Sequence, residues 1–221
     1  MRPEAGIGET GEEAMYKRQV RLQRIFCLLA LIASALVFVY SLGLVTDLYD
    51  SLYTTIPNAN NLDKTYVEGS RIFYDIQPFN KHLMPVGLGL ILISLGLYIT
   101  QTHARRRYYI GNYVATGVWV AAAVAVSFWM HKWVTFYKVQ FQTQLNFEEL
   151  AAYAEKFNTM PLTRNDTFWF DIHYLVMAVL LVMAAVMVVN VIWKINLMKQ
   201  EAALLAGAPA KEQGSAPAKI Q

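Results

Sequence analysis

Four long apolar runs organise the chain: Ile25 to Thr46, Leu83 to Thr102, Tyr109 to Met130 and Ile172 to Trp193. None contains Lys, Arg, Asp or Glu. Each reaches the roughly 20 residues that a helix needs to cross the hydrocarbon core of a bilayer. A helix that is apolar all round belongs either in a large protein core or in lipid. The runs therefore predict an all-α integral membrane protein, a bundle of four transmembrane helices spanning about 25–46, 83–102, 109–130 and 172–193. The link from His103 to Tyr108 is short enough to make the second and third helices antiparallel neighbours. Two longer connections, 47–82 and 131–171, carry the mass outside the membrane.

Within the second connection, the polar pattern predicts one more helix. Asn146 precedes Phe147-Glu148-Glu149, the arrangement of an N-cap with a glutamate at the third helical position. Phe147, Leu150, Ala151, Ala154 and Phe157 then recur at spacings of three and four, which puts them on one face. Asn158 and Pro161 end the segment. So short an amphipathic helix must cover something: the first connection, the membrane surface, or a partner protein docked on Phe147, Leu150, Ala154 and Phe157. The first connection opens with Asp47 to Tyr53, which continues the first helix before Pro57, Asn58, Asn60 and Asn61 break it. The piece from Thr65 to Ile76 is compatible with either helix or loop.

Residues 1–16 and 200–221 are rich in Gly, Glu, Ala, Pro and Lys and read as largely disordered ends flanking a membrane domain at 17–199. The stretch from Lys194 to Leu205 is compatible with a continuation of the fourth helix. A basic stretch before an apolar run also describes a signal peptide. The first run, however, extends through Val45, far past the core length of such a signal, and reads as an uncleaved anchor.

Composition sharpens the picture. The chain has 221 residues, 56% of them hydrophobic and only 16% charged. Soluble domains hold about 25% charged residues, so the balance favours lipid. The few basic residues are asymmetric. Lys17, Arg18, Arg21 and Arg24 precede the first span, Arg105 to Arg107 fill the short turn, and Lys194 and Lys199 follow the last span. The positive-inside rule then places both termini in the cytoplasm, in a multi-pass protein of the cell membrane. The single cysteine, Cys27, excludes an intrachain disulfide and reads as a small packing residue of the first span.

Small residues are expected to mark helix seams, because helices in lipid associate through close contact. Gly89 with Gly96, Gly87 with Ser94, Gly111 with Ala115, Ala121 with Ala125, and Ala30 with Ser34 have that spacing. Pro85 is expected in the first turn of the second span, where its missing N–H does no harm. Asn112 and Asn190 lie about one turn from the inner face, where buried helix-to-helix bonding accounts for them about as well as a functional role.

Candidate chemistry is sparse. The span centres lack the ionisable or helix-breaking residues that mark transport pathways. No G-x-S-x-G, H-E-x-x-H, C-x-x-C or Walker A pattern occurs, so no enzyme is expected. One constellation is chemically capable: His82, His131, His173 and Asp47, all expected at the outer edge. Two or three imidazoles with a carboxylate at one depth are a zinc-binding set. No other cofactor is implied, and nucleic acid is not an expected partner. The layout resembles tetraspanins and claudins in architecture alone. Those families carry paired cysteines in their outer connections and this chain has none there, so no function is carried over. What is left is a non-enzymatic accessory or stabilising subunit of a membrane complex, contacting lipid and another integral membrane protein such as a permease. A metal- or ligand-binding protein using the His/Asp ring and a homo-oligomeric pore are the alternatives.

Overall fold

The computed structural model describes the backbone of residues 11–55, 65–102, 109–158 and 160–207. It describes their side chains except at 11–17, 45–54, 101–102, 109, 157 and 201–207. All regular structure among these residues is helical: α1 Gly11–Thr55, α2 Ile72–Asp75, α3 Gln77–Thr102, α4 Tyr109–Gln144, α5 Phe147–Phe157 and α6 Phe168–Gly207. Four of them, α1, α3, α4 and α6, are long and apolar enough to cross a membrane, and they pack as a bundle.

The long helices overrun the apolar stretches that define them. α4 has 36 residues and α6 has 40. At 1.5 Å per residue α4 is about 54 Å long, against a hydrocarbon core of about 30 Å. α1 is already helical at Gly11 and α6 continues to Gly207, so part of both end segments read as disordered is helix. Residues 1–10 and 208–221, and the arginines of the turn between α3 and α4, lie outside the described residues. α3 starts at Gln77, earlier than the apolar run. Pro85 therefore lies about two turns inside that helix rather than in its first turn.

The bundle has two distinguishable ends. The termini end carries the start of α1 and the close of α6; the cap end carries α2 and α5. Between them the core is Ala33, Val37, Leu90, Ala123, Leu180, Met183 and Met187, all buried. A polar bond between helices crosses this middle layer: Trp119 Nε1 donates to Ser34 Oγ at 3.0 Å, and that hydroxyl donates to the Ala30 carbonyl. In lipid the alternative is an indole N–H without a partner, so the pair fixes the register of α4 against α1.

The small-residue expectation holds for one seam and fails for another. Ala30, Ser34 and Ser94 are fully buried, and Gly87 lets α3 approach α1 closely. A Cβ at Gly87 would lie 2.9 Å from the Phe38 backbone. A Cβ at Gly89, Gly96, Gly111 or Gly117, by contrast, would meet nothing within 4 Å. Ala121 and Ala125 are exposed. These residues face away from the bundle. The spacing of small residues was readable, but spacing alone does not say which side of a helix is inside.

The cap is stitched across the two connections. α5 begins where expected: the Asn146 side chain accepts from the Glu149 N–H at 3.1 Å, and Asn158 ends the helix at a φ of +51°. Glu149 then accepts from the Glu68 N–H at 2.7 Å, while the Asn146 N–H donates to the Glu68 carbonyl at 3.0 Å. The Tyr66 and Tyr153 rings stack at 5.3 Å. Gly69 makes this approach possible. Its φ is +79°, and a Cβ there would overlap the Gln144 carbonyl.

Candidate functional site

Two clusters of polar side chains stand out in the interior, one at each end. At the termini end, Gln19 and Gln23 of α1, Asn112 of α4, and Asn190 and Lys194 of α6 are all buried. Helical spacing brings them together: Gln19 with Gln23, and Asn190 with Lys194, are each four apart and share a helix face. Gln23 Oε1 accepts from Asn190 Nδ2 at 2.7 Å and from Gln19 Nε2 at 3.1 Å. Asn112 Oδ1 accepts from Gln23 Nε2 at 3.0 Å and from Lys194 Nζ at 3.2 Å. Asn112 Nδ2 donates to Thr100 Oγ1 of α3 at 3.3 Å. All four long helices thus meet in one hydrogen-bonded node. Lys194 Nζ also lies 5.3 Å from the Tyr113 ring centroid, a cation–π distance.

Of the two readings open for Asn112 and Asn190, helix-to-helix bonding is the one observed. Gln19, Gln23 and Lys194 were missed as members. Gln19 and Gln23 precede the apolar run of the first span, and Lys194 reads as a flanking charge. Their signal was available in the periodicity: positions 19, 23, 27, 30, 34 and 37 form one buried stripe down α1.

At the cap end, α4 meets α6 through side chains of different chemistry. His131 Nδ1 and His173 Nε2 are 3.1 Å apart. His173 is fully buried, and its Nδ1 faces the Phe170 carbonyl. About two turns further along α4, Lys138 Nζ donates to Asp171 Oδ1 at 2.5 Å, and Thr167 Oγ1 donates to Asp171 Oδ2 at 2.6 Å. Tyr40 of α1 donates its hydroxyl to the Trp169 carbonyl at 3.0 Å. Beyond the helices, the Asp166 carboxylate caps a turn by accepting from the Thr163 N–H at 2.6 Å and from the Thr163 hydroxyl at 2.9 Å. Those bonds hold the Asp166 carboxyl below its ordinary pKa, the backbone bond contributing most.

The expected metal ring does not assemble. Of its four members the structure brings together His131 and His173. His82 is exposed on α3, with Nδ1 2.5 Å from the Pro78 carbonyl. The side chain of Asp47 lies outside the described residues. Among the described residues, no three His, Cys, Asp or Glu side chains converge as a metal site. The reason is rotational: residues at a shared depth on different helices converge only if each also points inward, and His82 points out.

The α5 face proposed for a partner is occupied by the chain itself. Leu150 and Ala154 are buried, and Phe147 packs edge-on against Phe141 at 5.4 Å. Phe141 in turn contacts Phe170 at 5.4 Å. Of the three targets open to this amphipathic helix, the structure takes the internal one, its own connections; the Phe157 side chain lies outside the described residues.

The membrane-facing surface carries two further features. Between α1 and α6 runs an apolar groove of about 490 Å³ lined by Phe26, Val182, Val186, Val189 and Trp193. On α4, Gly117, Ala121 and Ala125 form a smooth exposed strip flanked by Val114, Val118 and Phe128. Towards the cap end that line continues as Phe136 and Val139, which are 48% and 54% exposed.

Comparison with protein-family models, with curated proteins and with solved structures found no match.

Proposed function

We propose that this chain is a non-enzymatic subunit of a membrane complex, acting by helix contact with another integral membrane protein of the permease kind. The observation that supports it best is the outward line on α4. Inside the membrane that line is smooth: Gly117, Ala121 and Ala125 leave the backbone open to close approach, which transmembrane partners use and lipid does not require. Beyond it, the Lys138–Asp171 ion pair marks a level that water or headgroups reach, and there Phe136 and Val139 stay exposed. A partner with a transmembrane helix and an extension past the bilayer would cover both parts. The polar groups of the interior favour a structural role as well. The termini-end node holds helices together, and so does the Trp119–Ser34 bond of the middle layer.

In this reading both termini are cytoplasmic and the protein resides in the cell membrane. The basic residues Arg18, Arg21 and Arg24 remain exposed at the termini end and support that orientation, whereas Lys194 is buried and counts less. Extraction in mild detergent through a C-terminal tag is expected to bring down a stoichiometric membrane protein, and the tag is expected to resist protease in intact cells. Ala121→Phe is expected to release the partner without lowering the unfolding temperature of the chain. Purification alone, with turnover or ion flux in liposomes, would overturn the proposal.

A further inference from the structure

We propose that the groove between α1 and α6 seats one acyl chain of an anionic phospholipid, whose headgroup is held at the termini end by Arg18. The groove has the length of one leaflet. Its α6 wall is Val182, Val186, Val189 and Trp193, which share one helix face at spacings of three and four. The rise from Val182 to Trp193 is about 16 Å, close to half of the roughly 30 Å hydrocarbon core. Phe26 of α1 faces them. Trp193 ends the wall where such rings favour the headgroup level, so the groove runs from that level towards mid-membrane. Its lining suits a flexible chain better than another helix. Helices in lipid approach closely over small residues, as the α4 strip allows, whereas branched and aromatic side chains stand in this groove. The Asn190 amide also borders it, but its Nδ2 is committed to Gln23 Oε1 at 2.7 Å and needs nothing from an apolar occupant.

Charge selects the lipid. α1 and α6 run antiparallel, and the Gln23–Asn190 bond fixes their relative level. Counted from that bond, Arg18 lies about 7.5 Å and Asn196 about 9 Å towards the termini, both just past Trp193. Four-residue steps from Phe26 through Leu22 reach Arg18 on the same side of α1. Arg18 and Asn196 are both exposed. A phosphate at this level meets a guanidinium fork and an amide donor, the groups that bind it best. The wider field has the same sign. Residues 14–46 and 172–200 together hold six Lys or Arg and no Asp or Glu, the nearest acids in sequence being Glu13 and Glu201. Of the six, Lys194 is turned inward to Asn112, which leaves Arg18 as the cation placed in line with the groove.

The test is native mass spectrometry of the full chain in detergent, with phosphatidylglycerol or phosphatidylcholine of matched chains added in turn. One phosphatidylglycerol per chain is expected to stay bound, about fivefold more tightly than phosphatidylcholine, the factor that one basic residue is worth at a membrane surface. Arg18→Gln is expected to bring the two lipids to equal affinity. Val189→Trp, at a side chain that is 65% exposed, fills the groove and is expected to weaken both by about tenfold. Equal binding of the two lipids to the wild type would overturn the proposal, as would a phosphatidylglycerol preference that survives Arg18→Gln. Binding untouched by Val189→Trp would place the lipid elsewhere and overturn it too. A dimer that Val189→Trp converts to monomer would show a second copy in the groove instead of a lipid. Arg18 is exposed, so its variant tests the headgroup contact independently of whether Val189→Trp folds.

Discussion

At the termini end, side chains from all four long helices share one network made almost entirely of neutral amides, and its members are nearly free of solvent. At the cap end, two imidazoles, an ion pair and backbone-to-side-chain stitches join α4 to α6 and the two connections to each other, and several of these groups remain partly exposed. The contrast follows from the cost of moving polar groups out of water. Amides carry no net charge, so four of the node's five buried members escape the desolvation penalty that ions incur, and the fifth, the Lys194 ammonium, is held by the Asn112 carbonyl and the Tyr113 ring. Charged and titratable groups are cheaper where water reaches them. The termini end is therefore built as a clamp with one preferred arrangement. The cap end is the part whose strength depends on its surroundings.

The sharpest way to break this comparison is to remove the hub of the clamp. Asn112→Leu deletes the acceptor shared by Gln23 and Lys194, together with the donor to Thr100. Removing the acceptor of the buried Gln23 amide is expected to cost about 2–3 kcal/mol. Lys138→Met at the other end removes a pair that is 23% and 43% exposed, and such pairs are worth under about 1 kcal/mol. Both can be read from denaturant unfolding in the same detergent. Equal costs for the two variants would show that the ends do not differ as described.

How much of this was readable without the structure depends on which physical signal carries each feature. The four spans and the α5 cap were legible because they rest on local rules: run length against bilayer thickness, and Asn146 placed three residues before Glu149. The termini-end node was half legible. Asn112 and Asn190 stand out against apolar runs, whereas Gln19, Gln23 and Lys194 lie in polar flanks where nothing distinguishes them except their four-residue spacing. The His82 expectation failed because depth along a helix can be read from sequence but rotation about its axis cannot when the helix is apolar all round. The same ambiguity hid the orientation of Gly117, Ala121 and Ala125. It also left the α5 face open between its own chain and a partner until Leu150 and Ala154 were seen to be buried.

A more local effect is expected from the stitching of the cap. Gly69→Ala places a methyl group against the Gln144 carbonyl in a left-handed conformation, which should cost about 1–3 kcal/mol. Because the strain falls between the Glu68 strap and the end of α4, the damage should be local. Hydrogen exchange at the Glu68 and Asn146 amides is expected to accelerate, while the amides of α1 and α6 near the termini-end node keep their protection. Uniform acceleration throughout the chain would mean that the two ends unfold as one unit and that the comparison has no energetic content.

The smallest effect isolates a single charge at the cap end. Asp166 is solvent-exposed, and its carboxyl is held below its ordinary value of 3.8 by bonds from the Thr163 N–H and hydroxyl. A group whose folded pKa is depressed contributes stability that is fully present above its unfolded pKa and is lost as pH falls through the folded one. The turn should therefore be indifferent to pH near neutrality and loosen only below about pH 4. The Thr163 amide proton reports this directly, since it loses its acceptor when Asp166 protonates. Its chemical shift should titrate with a midpoint below 3.8, and in Asp166→Asn that titration should vanish. A midpoint at or above the ordinary carboxylate value would show that the turn does not hold the charge.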